Sequence, residues 1–282
     1  MSLLLALLAL AGYFALPEDW RRLAGTPGDR WLGWCAQLPP SLGDGLRLAL
    51  TMLIPMVVLA VSLQALRELG LSLLVFLPCA LVLVVIFGDV TQPQAAARHL
   101  AHWQSRPWAT PLPDAEQNDW VTPDLALNSE LAEARKDMLR ESLQELFSPL
   151  FWFLLATPVA ALGYYILRLA EREGEPATQE LARHWLTLAD WIPTRLLALS
   201  FALAGNFTAT WSVIRERLLR PDAEGHILID EAAEAAEPVD LDSGAEPSVA
   251  LTEAMTALKA LLQRALIVWM VMLALHTLWP GA

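Results

Sequence analysis

Long apolar runs constrain this chain more than any other feature of its sequence. The run from Phe147 to Arg168 has an aromatic-rich start and about the 20 residues that a helix needs to cross a bilayer core. With 55% hydrophobic residues and a mean hydropathy of +0.41, the chain is too apolar for an ordinary soluble domain. We therefore expect an all-α integral membrane protein, a polytopic helix bundle of five to six spans with amphipathic interfacial helices and a disordered acidic loop.

Six runs are candidates for these spans. They cover residues 3–16, 46–66, 69–87, 147–168, 196–214 and 261–278. The second and third are joined by a very short link, which predicts a transmembrane hairpin. The run 196–214 is interrupted by Gly205 to Thr210. It either crosses the membrane, which gives six spans in total, or forms a helix that packs on the other five.

The remaining chain divides around these runs. The predicted parts are N-terminal membrane helices (1–88), a polar loop with an amphipathic helix (89–146), a core (147–214), an acidic flexible loop (215–257) and a C-terminal span (258–282). Asn128 is the expected N-cap of the amphipathic helix, and Trp20, Trp31 and Trp34 suit the membrane interface. The acidic loop, above all 221–253, has few aromatic residues and is expected to be disordered.

Charge, cysteines and motifs exclude several classes of function. A net charge of −12 without a basic run argues against nucleic acid as a partner. Cys35 and Cys79 are far apart and predict no disulfide, and no phosphate-binding loop, catalytic triad or metal signature is present. His99 and His102 could share a helix face as metal ligands if carboxylates approached, but a solvated face is the favoured interpretation. We expect no cofactor.

Three short motifs surround the central run. They read Ser148-Pro-Leu-Phe-Trp152, Pro158-Val-Ala-Ala-Leu-Gly-Tyr164 and Asp190-Trp-Ile-Pro-Thr-Arg-Leu196. Their residues and spacing resemble the core signature of the CobD/CbiB and AmpE superfamily, well over about residues 130–215 and loosely elsewhere. In that superfamily, CobD/CbiB proteins are inner-membrane ligases of cobalamin synthesis. AmpE proteins are regarded as membrane sensors or modulators in β-lactamase induction, linked to peptidoglycan recycling.

The residues between the motifs resemble the AmpE branch more closely. Where the cobalamin branch has an Asp-containing motif and a Gly-Tyr-Lys/Arg segment, this chain reads Arg168-Leu-Ala-Glu171-Arg172. Where that branch has an Asp pair, it reads Leu186-Thr187. The resemblance therefore implies a regulatory protein of the bacterial inner membrane and favours the absence of enzymatic activity. A membrane amide ligase of the CobD/CbiB type is the alternative, and a purely structural partner of another membrane protein is a third.

Within this frame, six residues are candidates for ligand binding or another function. They are Glu171, Arg172, Asp190, Trp191, Arg195 and Asn206. Pro193 should start a helix with Arg195 in its first turn, where the arginine charge opposes the helix dipole. Arg195 therefore needs an acidic neighbour or a ligand anion. Asn206 could bond another helix or line a pocket. Ser148 and Pro149 are expected to start a helix, and Arg168 to anchor a span at the membrane surface.

The expected partners follow from the same resemblance and from the charge pattern. They are the lipid bilayer and either a cell-wall-derived small molecule or a second membrane protein. In a six-span arrangement most of the 19 Lys and Arg residues share one side with the large polar loops. Because Lys and Arg concentrate in cytoplasmic loops, those loops are expected in the cytoplasm.

Overall fold

The computed structural model describes residues 28, 30–35, 39, 42–88, 98–99, 101–102, 123–155, 157–220, 224–238 and 247–278, and its regular structure is helical. The all-α prediction is confirmed for these residues. The helices of eight residues or more are α1 (Asp44–Glu68), α2 (Phe76–Gly88), α3 (Pro123–Ser142), α4 (Ser148–Leu155), α5 (Pro158–Glu173), α6 (Pro176–Ala189), α7 (Trp191–Ala204), α8 (Phe207–Ile214), α9 (Gly225–Ala236) and α10 (Pro247–Leu278).

Two of the described helices are long and apolar enough to cross a membrane, namely α1 and the stretch Val249–Met272 of α10. A third is added if α6 and α7 form one bent span. The predicted span 69–87 instead comprises a 3₁₀ turn, Ser72–Val75, and the 13-residue helix α2. This helix content is consistent with a membrane protein, but the count of five to six spans is not confirmed. The run 3–16 and Trp20 lie outside the described residues.

The central run forms two helices rather than one continuous helix, and the prediction of a single span over 147–168 is not confirmed. Helix α4 ends at Leu155 and α5 begins at Pro158. A proline disfavours helical geometry at the residue before it, and Thr157 uses this break to cap α5, its Oγ1 accepting the N–H of Ala160 at 3.3 Å. Helix α5 then continues beyond Arg168, which lies inside a helix rather than at its end.

Two predicted helix starts are wrong. Helix α3 already begins at Pro123, so Asn128 lies within it and is not its N-cap. A π-helical turn, Leu143–Phe147, connects α3 directly to α4. Ser148 therefore lies in a continuous helical path instead of capping a new helix, and Pro149 follows it in the first turn of α4.

The apolar run 196–214 is divided in the same way. Helix α7 ends at Ala204 and α8 begins at Phe207. Asn206 caps α8, since its Oδ1 accepts the backbone N–H of Ala209 at 3.2 Å.

The chain forms two compact units. The first comprises Met1–Thr91, Gln144–Pro193 and Val271–Ala282, and the second Gln92–Leu143 and Thr194–Met270. In the first unit, α5 contributes side chains to two hydrophobic core clusters. One contains Leu63, Cys79, Val82, Leu83, Ile86, Phe153, Ala161, Tyr165, Ile166 and Leu169, and the other Leu48, Tyr164, Leu167, Ala170, Ala182 and Leu186. Gly163 permits close contact with α1, because a Cβ there would lie 2.7 Å from the Met56 sulfur.

In the second unit, α9 contradicts the prediction that residues 215–257 are a disordered loop. Its buried side chains are Leu228, Ile229, Ala232, Ala233 and Ala236. Their spacing places them on one helix face, where they are removed from water. Helix α10 also begins within the predicted loop, at Pro247, whereas 239–246 lie outside the described residues. The acidic composition led to a prediction of disorder, although this segment forms an amphipathic helix.

Candidate functional site

The three sequence motifs meet at the carboxylate of Asp190. The Ser148 hydroxyl donates to Oδ1 of Asp190 at 2.6 Å, and the Tyr164 hydroxyl donates to the same atom at 2.8 Å. Ser148 opens the first motif, Tyr164 closes the second and Asp190 opens the third. We call these three residues the Asp190 cluster.

The position of Asp190 follows from the local sequence. It is the residue between α6 and α7, and its backbone N–H donates to the carbonyl of Leu186 at 2.7 Å. Its side chain is removed from water, since the residue is only 7% exposed. A carboxylate buried to this extent needs hydrogen-bond donors, which the two hydroxyls provide.

Two further residues support this carboxylate. The Gln144 side chain hydrogen-bonds to Asp190, and the positive charge of Arg168 interacts with it. Arg168 itself donates from Nη1 to the Gln144 carbonyl at 2.9 Å, while its Nη2 lies 3.5 Å from Glu145 Oε1. Arg168 therefore contacts protein groups rather than only anchoring a span at the membrane surface.

The Asp190 cluster is a buried hydrogen-bond network between two hydroxyls and one carboxylate. Ser148 and Tyr164 both donate to the same oxygen of Asp190. From the sequence, Asp190 was a predicted functional residue, Ser148 was expected to cap a helix, and Tyr164 had no predicted role. Their presence in the two other motifs was the available signal.

Two other candidates in the first unit, Glu171 and Arg172, form ion pairs of their own. Glu171 lies 3.5 Å from Nε of Arg183, and Arg172 lies 3.1 Å from Glu173. Both arginines in these pairs are substantially exposed. Such exposed pairs contribute little to stability.

Arg195 donates to backbone carbonyls in the second unit. Its Nε is 2.7 Å from the carbonyl of Leu218 and its Nη2 is 2.6 Å from that of Arg220, with the residue almost fully buried. An acidic side chain or a ligand anion was the expected partner of Arg195, and these backbone carbonyls were not predicted. Trp191 is the half-buried first residue of α7, and Asn206 is used as a helix cap.

Three cavities lined by described residues are sizeable. The largest of these three, about 770 Å³ in the first unit, is lined mainly by apolar side chains that include Trp152, Tyr164 and Trp185. Another in that unit, about 340 Å³, includes Arg47 and Glu175 in its wall. One of about 570 Å³ in the second unit is lined partly by Arg135, Glu234 and Glu237. None of the six predicted site residues lines any of these three cavities.

Arginines pair with the acidic side chains of α9 and its C-cap in the second unit. Arg135 contacts Asp230 at 2.6 Å and Glu234 at 2.9 Å, Arg217 contacts Glu231 at 2.6 Å, and Arg264 pairs with Glu237. Burial lowers the pKa of Arg135, but hydrogen bonds and charge interactions with Asp230 and Glu234 outweigh burial and raise it overall. These pairs hold α9 by its polar face.

The histidines considered as metal ligands have a different arrangement. His99 Nε2 lies 3.1 Å from Oδ2 of Asp137, so one carboxylate does approach the pair. Among the residues that the structure describes, no group of three or more His, Cys, Asp or Glu side chains could hold a metal ion.

The fold and the site together define a class, namely an all-helical protein with two or three candidate membrane spans and a buried carboxylate centre. Comparison with protein-family models, with curated proteins and with solved structures finds no match.

Proposed function

We propose that this protein is a non-enzymatic regulator of the bacterial inner membrane, similar to AmpE proteins, that modulates β-lactamase induction in connection with peptidoglycan recycling. It acts through a cell-wall-derived small molecule or a second membrane protein, and its large polar loops are cytoplasmic. The proposal rests on the resemblance of the three motifs and on their spacing along the chain.

One structural observation supports regulation over catalysis. The Asp190 carboxylate is enclosed by hydroxyl donors, and it lines none of the three cavities described above. A ligase of the CobD/CbiB type would need Glu171, Arg172, Asp190 and Arg195 around a shared substrate cavity. Each of these side chains has a different set of contacts in the protein.

The test is a deletion of the gene in a strain with inducible β-lactamase, complemented with variants at equal membrane levels. Asp190→Asn and Ser148→Ala should alter the induction response. Glu180→Gln, which changes an exposed carboxylate on α6, should behave as the unmodified protein. An unchanged response after deletion itself would refute the proposed function.

The ligase alternative makes an opposite biochemical prediction. Purified protein in detergent, supplied with nucleotide, an amine and a carboxylic acid substrate, should consume nucleotide only if the ligase interpretation is correct. Turnover that depends on Asp190 would replace the regulatory proposal with an enzymatic one.

A further inference from the structure

The carbonyl of Gln144, in the π-helical turn, has no backbone N–H five residues later to accept. In a π turn the carbonyl of a residue accepts from the N–H five residues later. For Gln144, in the turn Leu143–Phe147, that residue is Pro149, which has no N–H. The Gln144 carbonyl must therefore find a donor elsewhere, since an unpaired carbonyl away from water is costly.

Pro149 also explains why the turn is wide. In an α-helix the ring of a proline clashes with the carbonyl four residues earlier, which here belongs to Glu145. Widening the helix by one residue relieves this clash, and proline and π turns are both established causes of local helix distortion. The same residue thus creates the turn and removes the donor that would complete it.

Arg168 supplies the missing donor from α5. Its Nη1 donates to the Gln144 carbonyl at 2.9 Å, and its Nη2 lies 3.5 Å from the Glu145 carboxylate. One guanidinium therefore contacts the two residues of the turn that Pro149 affects. Its fixed, planar set of donors suits such a double contact better than a lysine ammonium would.

The turn leads directly into the Asp190 cluster. Ser148, the residue after the turn, donates to Asp190 at 2.6 Å, and Gln144 within the turn also hydrogen-bonds to that carboxylate. A change of one residue in helix register rotates the following side chains by about 100°. Ser148 would then no longer point at Asp190.

We propose that Arg168 is a positioning residue of the Asp190 cluster: it substitutes for the backbone N–H that Pro149 lacks and thereby keeps Ser148 and Gln144 against Asp190. This role concerns the first unit alone. Its consequence for signalling rests on the proposed function, whereas the positioning itself does not. An arginine that only anchored a helix at the membrane surface would have no energetic connection to residue 149.

The test is a double-mutant cycle between Arg168 and Pro149 in the full-length protein in detergent. The variants are Arg168→Met, Pro149→Ala and their combination, with Arg168→Lys as the conservative replacement and Arg183→Met as an exposed arginine control. Hydrogen exchange of the amides in residues 143–155 reports on the turn, and the unfolding midpoint reports on the unit.

We expect Arg168→Met to accelerate exchange of these amides about tenfold, because the Gln144 carbonyl loses its donor. Arg168→Lys should recover part of this protection. In the Pro149→Ala background the Gln144 carbonyl regains a backbone donor, either the N–H of residue 149 in a π turn or that of Ser148 in an α-helix. Arg168→Met should then change exchange by less than about threefold. An equal effect of Arg168→Met in both backgrounds would overturn the proposal.

Failure to fold is also informative. If Arg168→Met fails to fold but the combination with Pro149→Ala folds, the rescue supports the proposal, whereas failure of both contradicts it. Induction of β-lactamase is measured in parallel. Coupling between residues 149 and 168 with an unchanged induction response would retain the positioning role and reject the proposed function of the site.

Discussion

Asp190 and Arg195 belong to the same short motif, yet their buried charges are satisfied in different ways. Asp190, in the first unit, accepts hydrogen bonds from side chains that lie 42 and 26 residues earlier in the chain. Arg195, in the second unit, donates to backbone carbonyls that lie 23 and 25 residues later. The first arrangement depends on the identity of distant side chains, and the second depends mainly on the path of the backbone.

This difference shows what a short motif can and cannot reveal. Partners that are side chains leave a trace in the sequence, and Ser148 and Tyr164 were part of recognisable motifs. Partners that are backbone carbonyls leave none, since every residue type carries one. Charged residues of one short motif, such as Asp190 and Arg195, therefore need not share hydrogen-bond partners.

The largest expected effect is the loss of the Asp190 carboxylate. Asp190→Ala leaves two buried hydroxyls without their acceptor and should lower the free energy of unfolding by about 3 kcal/mol. Asp190→Asn keeps an acceptor oxygen and should cost about half as much. Thermal or denaturant unfolding in detergent measures both, with Glu180→Ala as an exposed control expected within about 0.5 kcal/mol. Equal costs for Asp190→Ala and Glu180→Ala would show that the cluster contributes no stability.

A smaller effect is expected at Arg195. Arg195→Met removes the donors to two carbonyls and should destabilise the protein by about 2 kcal/mol. Because the affected partners are backbone groups, amide exchange should accelerate in residues 215–220, while Asp190→Asn should leave that segment unchanged. If Arg195→Met and Asp190→Asn accelerated amide exchange in the same segments, the two charges would not be satisfied independently.

The smallest effects are expected in the ion pairs on α9. Arg135 and Asp230 are mostly buried, at 19% and 13% exposed, so Arg135→Met should cost about 1–2 kcal/mol. Arg217 is 46% exposed, and Arg217→Met should cost at most about 0.5 kcal/mol. Denaturation at low and high salt separates them, since screening should reduce the Arg217 contribution most. A larger cost at Arg217 than at Arg135 would contradict this order.

Much of the helical architecture could be predicted from hydropathy. The run 46–66 corresponds closely to α1, and the final run lies within α10. The central run could not be resolved in this way, because hydropathy averages over the break that Pro158 and Thr157 produce. In this run the position of Pro158 predicts the helix break, which the length of the apolar run does not.

The acidic helix and the site show two other limits. Helix α9 was obscured because alanine and glutamate dominate its composition, although Leu228 and Ile229 begin a regular apolar face. At the site, Asp190 was among the predicted functional residues, but Arg168 was assigned to the membrane surface. Its contact is with the Gln144 carbonyl in the π turn. Pro149 was the available signal for that turn, but it was interpreted only as the start of a helix.

The sequence separation within the Asp190 cluster has a consequence for the order of folding. Ser148 and Tyr164 emerge during synthesis before the carboxylate that accepts their protons, and 42 residues must close into a loop before the Ser148 bond can form. Loop-closure entropy is lost before such a long-range contact contributes any stability. We therefore expect the cluster to form late in folding, so that its substitution accelerates unfolding more than it slows folding. On this expectation the buried carboxylate sets how long the folded protein persists.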